Sequence, residues 1–538
     1  MSLANTFPLT FSPVGLSDTL DASNSFRGAM TSLKDLIPDP STRNLWQCRP
    51  AAIPQTTFPA FNTPGFISAL EVIGTRAYGM IASAANPGKD EPFCFDLETG
   101  AFVAITGVTN ANTPASPASS GAWTPPTMSL VGSKLVVTHS GFSVTAKFFG
   151  WIDLANPAAP TWDAGNTTTN ALPAVPTAVK NFNGRAYYLV NPAAGQPGAY
   201  FSDALNPLVI TNANQVLTFD DNVPLTALGA LPLSNQLGGV IQSLIVFKGA
   251  TNMYQITGDS ALMNLTVNSL NVATGSLAPN SVCTTPKGLA FMAPDGIRYI
   301  DFNAQVSDPV GDSGEGVTVP FIFANVPSRV CAACNAKVLR VTTQNNNATG
   351  SPFQEYWYDL TRGVWSGPHS FPASLIQPYG KFFILTGQGV TAKLFKSESV
   401  QSNTSTFVEN GVQLAFNYLT SVLPDTKQMA ENNMLETTLK MALAAGGQYA
   451  ITAQDEQGSI FDTYILAAAG NTTLWGNFVW GQALWQGAAN ALAVRLIPWQ
   501  IPIVFSRVAM GVTGNSAAGV KIGDLGMRYE QLGYVLQT

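Results

Sequence analysis

From Pro50 to about residue 402 the chain is written in short apolar runs, alternating or continuous, each bounded by Gly, Pro or Asn. That pattern predicts β-strands joined by tight turns. Two stretches far apart, FCFDLETGAF (Phe93 to Phe102) and YWYDLTRGVW (Tyr356 to Trp365), repeat one phrase. An aromatic strand ends at Asp-Leu, a Gly supplies the positive φ of a turn, and an aromatic opens the next strand, so each predicts a hairpin. Helical periodicity is scarce. FRGAMTSLKDL (Phe26 to Leu36), stopped by Pro38 and Pro40, is read as a short helix. Polar loops, Asn110 to Pro126 and Gln344 to Pro352, interrupt the strands with no helical segment between, which disfavours βαβ units.

A turn followed by a strand recurs at Gly74, Gly132, Asn183, Gln242, Lys287, Ala336 and Gly380, at the spacing of propeller blades. Several of these are followed by a partner strand ending in an aromatic-x-Asp phrase, as in FGWIDLANP and GIRYIDFNAQ. Small antiparallel sheets that cannot bury both faces alone stack around an axis, so the expected fold is all-β: a β-propeller of about six blades, with five or seven open. The centre is expected to be a hole, with no reactive pocket.

Beyond Asn403 the style changes to longer alternating strands. Leu435, Thr437, Leu439, Met441 and Leu443 alternate with Glu436, Thr438, Lys440 and Ala442, which predicts an antiparallel β-sandwich or sheet domain with one buried face. The expected organisation is an N-terminal arm with a short helix (1–60), a propeller (61–402) and a sandwich-like domain contributing to ring assembly (403–538). IPWQIPIVF (Ile497 to Phe505) reads either as a subunit interface or as core strands. Trp475, Trp480 and Trp485 read as a sugar-stacking platform or as an interface anchor; their spacing of five puts neighbours on opposite strand faces and favours packing and subunit contact.

Composition narrows the classes. Charged residues are 11% of the chain, against about 25% in ordinary soluble domains. A neutral-polar surface of this kind suits a subunit held against other subunits. A net charge of −6 without any basic run argues against sequence-independent nucleic-acid binding. No signal-peptide pattern and no span of about 18 apolar residues is present, so the reading is a protein made in a cytoplasm or in particles assembled there, without a membrane span.

Candidate chemistry is thin. Cys48, Cys94, Cys283, Cys331 and Cys334 make no disulfide framework, and the CAAC of Cys331 and Cys334 lacks a second ligand pair for zinc, with His139 and His369 far away in sequence. GDSGEG (Gly311 to Gly316) contains a string found around serine-protease nucleophiles, but the surroundings of a triad histidine are missing. Asp301, Asp308, Asp312 and Glu315 could bind calcium, yet their spacing fits no EF-hand and a solvated acidic loop is the simpler reading. No catalytic, cofactor-binding or metal residue is assigned. Paired carboxylates for glycoside cleavage remain open, because they must be close in space and need not be close in sequence.

The segment Ser25 to Ala52, the YDLxxGxW phrases and the closing stretch Val504 to Tyr534 together resemble the tail nozzle, or tail tubular protein, of short-tailed bacteriophages. The resemblance runs over nearly the whole chain. It implies a virion structural protein, not an enzyme, forming a homohexameric ring below the portal and its adaptor. Tail fibres or spikes would attach nearby, and genomic DNA would pass through the ring without sequence-specific binding. Such a protein is assembled in the host cytoplasm and needs no cofactor. The alternatives are a carbohydrate-binding or glycan-cleaving propeller and another head–tail connector ring protein.

Overall fold

A computed structural model describes residues 6–13, 15–16, 29–55, 67–82, 86–116, 125–142, 147–219, 221–234, 240–260, 263–270, 272–310, 326–344, 353–387, 394–402, 405–409, 411–423, 430–443, 447–467, 492–515 and 520–534. Over these residues the regular structure is strand, apart from two single 3-10 turns at Pro279–Ser281 and Pro327–Arg329. Each recurring phrase of the sequence forms the second strand of a small antiparallel sheet: Arg76–Ala82, Lys134–Thr138, Arg185–Val190, Val240–Lys248, Gly288–Ala293, Val338–Gln344 and Phe382–Gly387. The strand before each is the innermost. These inner strands are Ile67–Ile73, Thr127–Val131, Pro176–Phe182, Leu225–Ser234, Cys283–Thr285, Cys331–Cys334 and Ala373–Tyr379. They pack side by side in chain order until the last meets the first.

The result is a β-propeller. Five free-standing blades have four strands and one has three, so the expectation of about six blades holds for the free sheets. A further place in the ring is filled by Cys331–Cys334, Val338–Gln344, Phe353–Asp359 and Val364–His369, which continue through the pair Leu33 and Gly367 into a ten-stranded sheet. The last blade is completed by Ile53–Pro54, paired with Leu394–Glu398, so chain from before the first blade fastens the ring shut. Apolar clusters lie between neighbouring sheets, as where Tyr78 and Met80 of one meet Leu135 and Val137 of the next. Stacking thus buries what a lone blade would expose.

The repeated Asp-Leu phrases are turns. Asp96 Oδ1 accepts the backbone N–H groups of Glu98 (3.0 Å) and Thr99 (2.9 Å), and Asp359 Oδ1 accepts those of Thr361 (2.8 Å) and Arg362 (2.9 Å). Gly100 and Gly363 then take φ of 67° and 72°, a region a Cβ disfavours.

The second body is a pair of antiparallel sheets around a common core. One is seven-stranded and includes Thr6–Phe11, Ala430–Ala442 and Lys521–Tyr534; the other is the far part of the ten-stranded sheet, with Ala29–Lys34, Ala415–Thr420, Gln448–Gln454 and Ala509–Asn515. Met30, Leu439, Met441, Tyr449 and Val512 meet between them. The helix expected over Phe26 to Leu36 does not form across its described part. Ala29–Lys34 is a strand paired with Ala415–Thr420, and Leu36–Pro38 is another. A neighbouring strand that satisfies backbone groups outweighs a weak local periodicity.

Along Ala430–Ala442 the expected alternation buries Thr437, Leu439 and Met441, but Leu435 is 42% exposed. A register shift between Met434 and Glu436 turns Met434 inward in its place. The stretch Ile497 to Phe505 divides: Ile497, Ile503 and Phe505 are core, whereas Ile501 and Val504 are exposed.

Candidate active site in the propeller channel

The innermost strands converge on a cavity of about 270 Å³. Every one of them contributes to its wall, so it is the axial channel of the propeller. Most of the wall is uncharged: Leu70, Met128, Leu228 and Leu375 supply apolar surface, and Thr127, Asn280, Thr284 and Gln377 supply hydroxyls and amides. Among the described residues two charged side chains reach it, Glu71 and Lys180.

Glu71 lies on Ile67–Ile73, an otherwise apolar strand whose first four residues are buried. It is open to the cavity but enclosed by the blades. Burial away from water raises its carboxyl from an ordinary value of 4.5 to about 7, against the opposing pull of the Lys180 charge. Gln377, from the blade that closes the ring, donates its amide to Glu71 Oε2 at 3.3 Å and to the Leu70 carbonyl at 3.0 Å. Lys180 approaches from Pro176–Phe182, and its charge acts on the Glu71 carboxyl. The channel therefore holds one carboxyl poised near neutrality and one ammonium.

Cys283, Cys331 and Cys334 also border the channel. Burial raises all three thiols, Cys331 and Cys334 to about 12, so they are protonated and poorly nucleophilic at neutral pH. Three residues apart on one strand, Cys331 and Cys334 serve different clusters: Cys331 packs with Phe371 and Phe383, and Cys334 joins the large core. No group of three or more His, Cys, Asp or Glu able to hold a metal occurs among the described residues.

The histidines sit elsewhere. His139 is buried, and its Nδ1 accepts the backbone N–H of Gly141 at 2.9 Å. Its Nε2 is therefore the donor to Asp90 Oδ2 at 3.0 Å. Ser68 and Ser116 donate to the same carboxylate at 2.6 and 2.5 Å. Serine, histidine and aspartate meet here in the wrong order for a triad: both ring nitrogens are occupied and neither serine reaches the imidazole. The network instead ties the first blade to the second. His369 is buried with its ring edge-on to Trp357 at 5.1 Å, and burial lowers it to about 3. Asp301 Oδ1 accepts the N–H groups of Asn303 and Gln305, closing a turn. Asp312, Glu315, the GDSGEG string and Trp475, Trp480 and Trp485 lie outside the described residues.

Glu71, Lys180 and Gln377 had escaped the sequence reading. Their signal was a lone charge or amide within the strand that precedes a recurring phrase, in ISALEVI, PTAVKNF and ASLIQPY. They place one acidic and one basic side chain on the wall of the expected central hole.

No family model and no curated protein matches the chain. Among solved structures it is similar to the computationally designed Ika8 protein, with 9% identity over 62% of this chain and 98% of that one and a TM-score of 0.34. It is also similar to a puromycin-hydrolyzing peptidase of Mycobacterium tuberculosis, at 10% identity over 68% of this chain and a TM-score of 0.39. The chain spans 61% of that peptidase's length. A third is the β-propeller domain of the Trilobed protease from Pyrococcus furiosus, at 9% identity over 63% and 97% of the two chains and a TM-score of 0.35. Likeness at this level brings no activity to this chain.

These structures are a designed protein, a puromycin-hydrolyzing peptidase and the β-propeller domain of a protease, and none of the three is described as a tail component. The identification with tail nozzle proteins finds no support among the matched structures and is withdrawn, and the virion structural role and the expectation of no enzymatic activity, which rested on it, are withdrawn with it. The physical reason lies in what carried the resemblance. The YDLxxGxW phrases are Asp-capped turns between strands, which an antiparallel blade needs whatever its task.

Proposed function

We propose that the protein binds a small polyhydroxylated ligand, of the carbohydrate class, in the channel of its propeller and moves a proton on it with Glu71. The observation that carries this reading is a carboxyl enclosed by the channel wall and held at about 7, where a general acid or base works best at physiological pH. Amides and hydroxyls set between apolar patches suit a ligand with hydroxyl groups on an apolar ring. Two-carboxylate glycoside hydrolysis needs a second acid within about 5–10 Å. Glu71 is the one acid on the wall among the described residues, so the wall favours single-carboxyl proton transfer, with the Lys180 ammonium stabilising negative charge as it develops.

The test is a panel of mono- and oligosaccharides, neutral and acidic, followed by NMR for binding and by ultraviolet absorbance and reducing-end release for turnover. Turnover by the native chain and its loss in a folded Glu71→Gln variant is the expected result. Turnover that survives Glu71→Gln, or ligands that perturb only surface residues, would overturn the reading.

A further inference from the structure

The channel wall also bears on which ligands of that class it takes. We infer that the ligand carries one negative charge, held by Lys180, and that Glu71 is protonated when it is bound. This rests on the proposed channel site and narrows it. Lys180 borders a cavity whose one other charged wall residue among the described residues is Glu71, on which its charge acts. A half-buried ammonium whose one acidic neighbour on the wall is a carboxyl raised to about 7 favours an anion, because protein around the cavity screens the attraction less than open water does.

Glu71 is the group that could oppose such a ligand. The groups that face it are Lys180 across the channel, the Gln377 amide from the closing blade, the Cys331 thiol, and Tyr78 as its cross-strand partner. The thiol and the phenol are both raised, each to about 12, and stay neutral, so among these groups Lys180 is the charge that stabilises the carboxylate, beside the Gln377 hydrogen bond. A bound anion takes up that stabilisation and adds its own repulsion, and the carboxyl answers by keeping its proton. It then donates a hydrogen bond to the ligand, and binding becomes coupled to proton uptake. Affinity is full below pH 7 and falls about tenfold per pH unit above it.

The anion could be a sugar carboxylate or a phosphate. Calorimetry with a hexuronate, the matching neutral hexose and inorganic phosphate, at pH 6 and pH 8, separates the cases. The hexuronate is expected to bind at least about tenfold more tightly than the hexose at pH 6, to lose most of that advantage at pH 8, and to take up a proton when titrated in two buffers of different ionisation enthalpy. Lys180→Met should abolish the advantage and Lys180→Arg should restore much of it. Phosphate binding that equals the hexuronate assigns the source to phosphate and still supports an anion site. Equal binding of hexose and hexuronate, a preference that survives Lys180→Met, or no binding of any probe overturns the inference. A charge preference that tracks Lys180 while turnover ignores Glu71→Gln would retain the anion site and reject the proton-transfer reading.

Discussion

Gln377 donates to Glu71 across the seam where the propeller closes, at 3.3 Å, while the same amide holds the carbonyl of Leu70 at 3.0 Å. The contact joins ring closure to the electrostatics of the channel. A donor aimed at a carboxylate favours its ionised form, so Gln377→Leu should move Glu71 above its value of about 7. It should also cost about 1 kcal/mol through the two lost hydrogen bonds. A carboxyl carbon-13 NMR titration checks the direction, and a downward movement would contradict it.

Glu71 itself makes stability depend on pH. Its carboxyl is raised from 4.5 to about 7 on folding, so between those values the native state holds a proton that the unfolded chain has lost. Stability therefore falls as pH rises through that window, by an amount on the order of 2–3 kcal/mol once the carboxyl is ionised. Glu71→Gln should unfold at higher denaturant than the native chain at pH 8 and match it near pH 4. A variant less stable at pH 8 would show that the carboxylate is better solvated than its enclosure implies.

His369 works in the opposite sense. Burial lowers it from 6.5 to about 3, so below pH 6.5 the unfolded chain binds a proton that the native one refuses. Its contribution is intact above pH 6.5 and is lost progressively as pH falls towards 3. His369→Gln should flatten the acid side of the stability profile, whereas Glu71→Gln should steepen it. Unfolding midpoints measured from pH 3 to pH 8 on both variants separate the two slopes. Identical profiles would mean that neither group governs the window.

The architecture was legible because blade construction is local. The recurring phrases fall on the second strand of each sheet, since that strand needs a polar turn before it and apolar residues for both faces. Asp96 and Asp359 marked their turns through bonds to N–H groups two and three residues on. Leu435 misled because a bulge changes the parity of a strand without leaving a mark in the alternation. The channel was not legible. Glu71, Lys180 and Gln377 come from different blades, and an isolated charge in an apolar strand reads the same whether its strand is innermost or at an edge.

Asp90 shows how a histidine can be recruited for structure. It accepts hydrogen bonds from Ser68, Ser116 and His139 and is fully buried. Asp90→Asn replaces one accepting oxygen by a donor that faces other donors. The cost should be about 2–4 kcal/mol, seen as faster hydrogen exchange in the first two blades. An unchanged exchange pattern would remove the network from the account of how these blades are joined.

Arg340 and Glu355 form a buried ion pair between adjacent strands, and the guanidinium lies 4.2 Å from the Trp357 ring and 4.9 Å from the Phe383 ring. Its two terminal nitrogens have no hydrogen-bond partner among the described residues. Desolvation therefore works against the pair, and its charges hold together chiefly because neither can leave. Arg340→Met strands Glu355 in an apolar site and should cost about 3–5 kcal/mol. The double change Arg340→Met with Glu355→Met should recover most of that loss, because the rings already offer an apolar sleeve for both new side chains. Denaturant unfolding of the two singles and the double gives the coupling. A double variant as unstable as the worse single would show that the pair stabilises this sheet beyond mutual compensation.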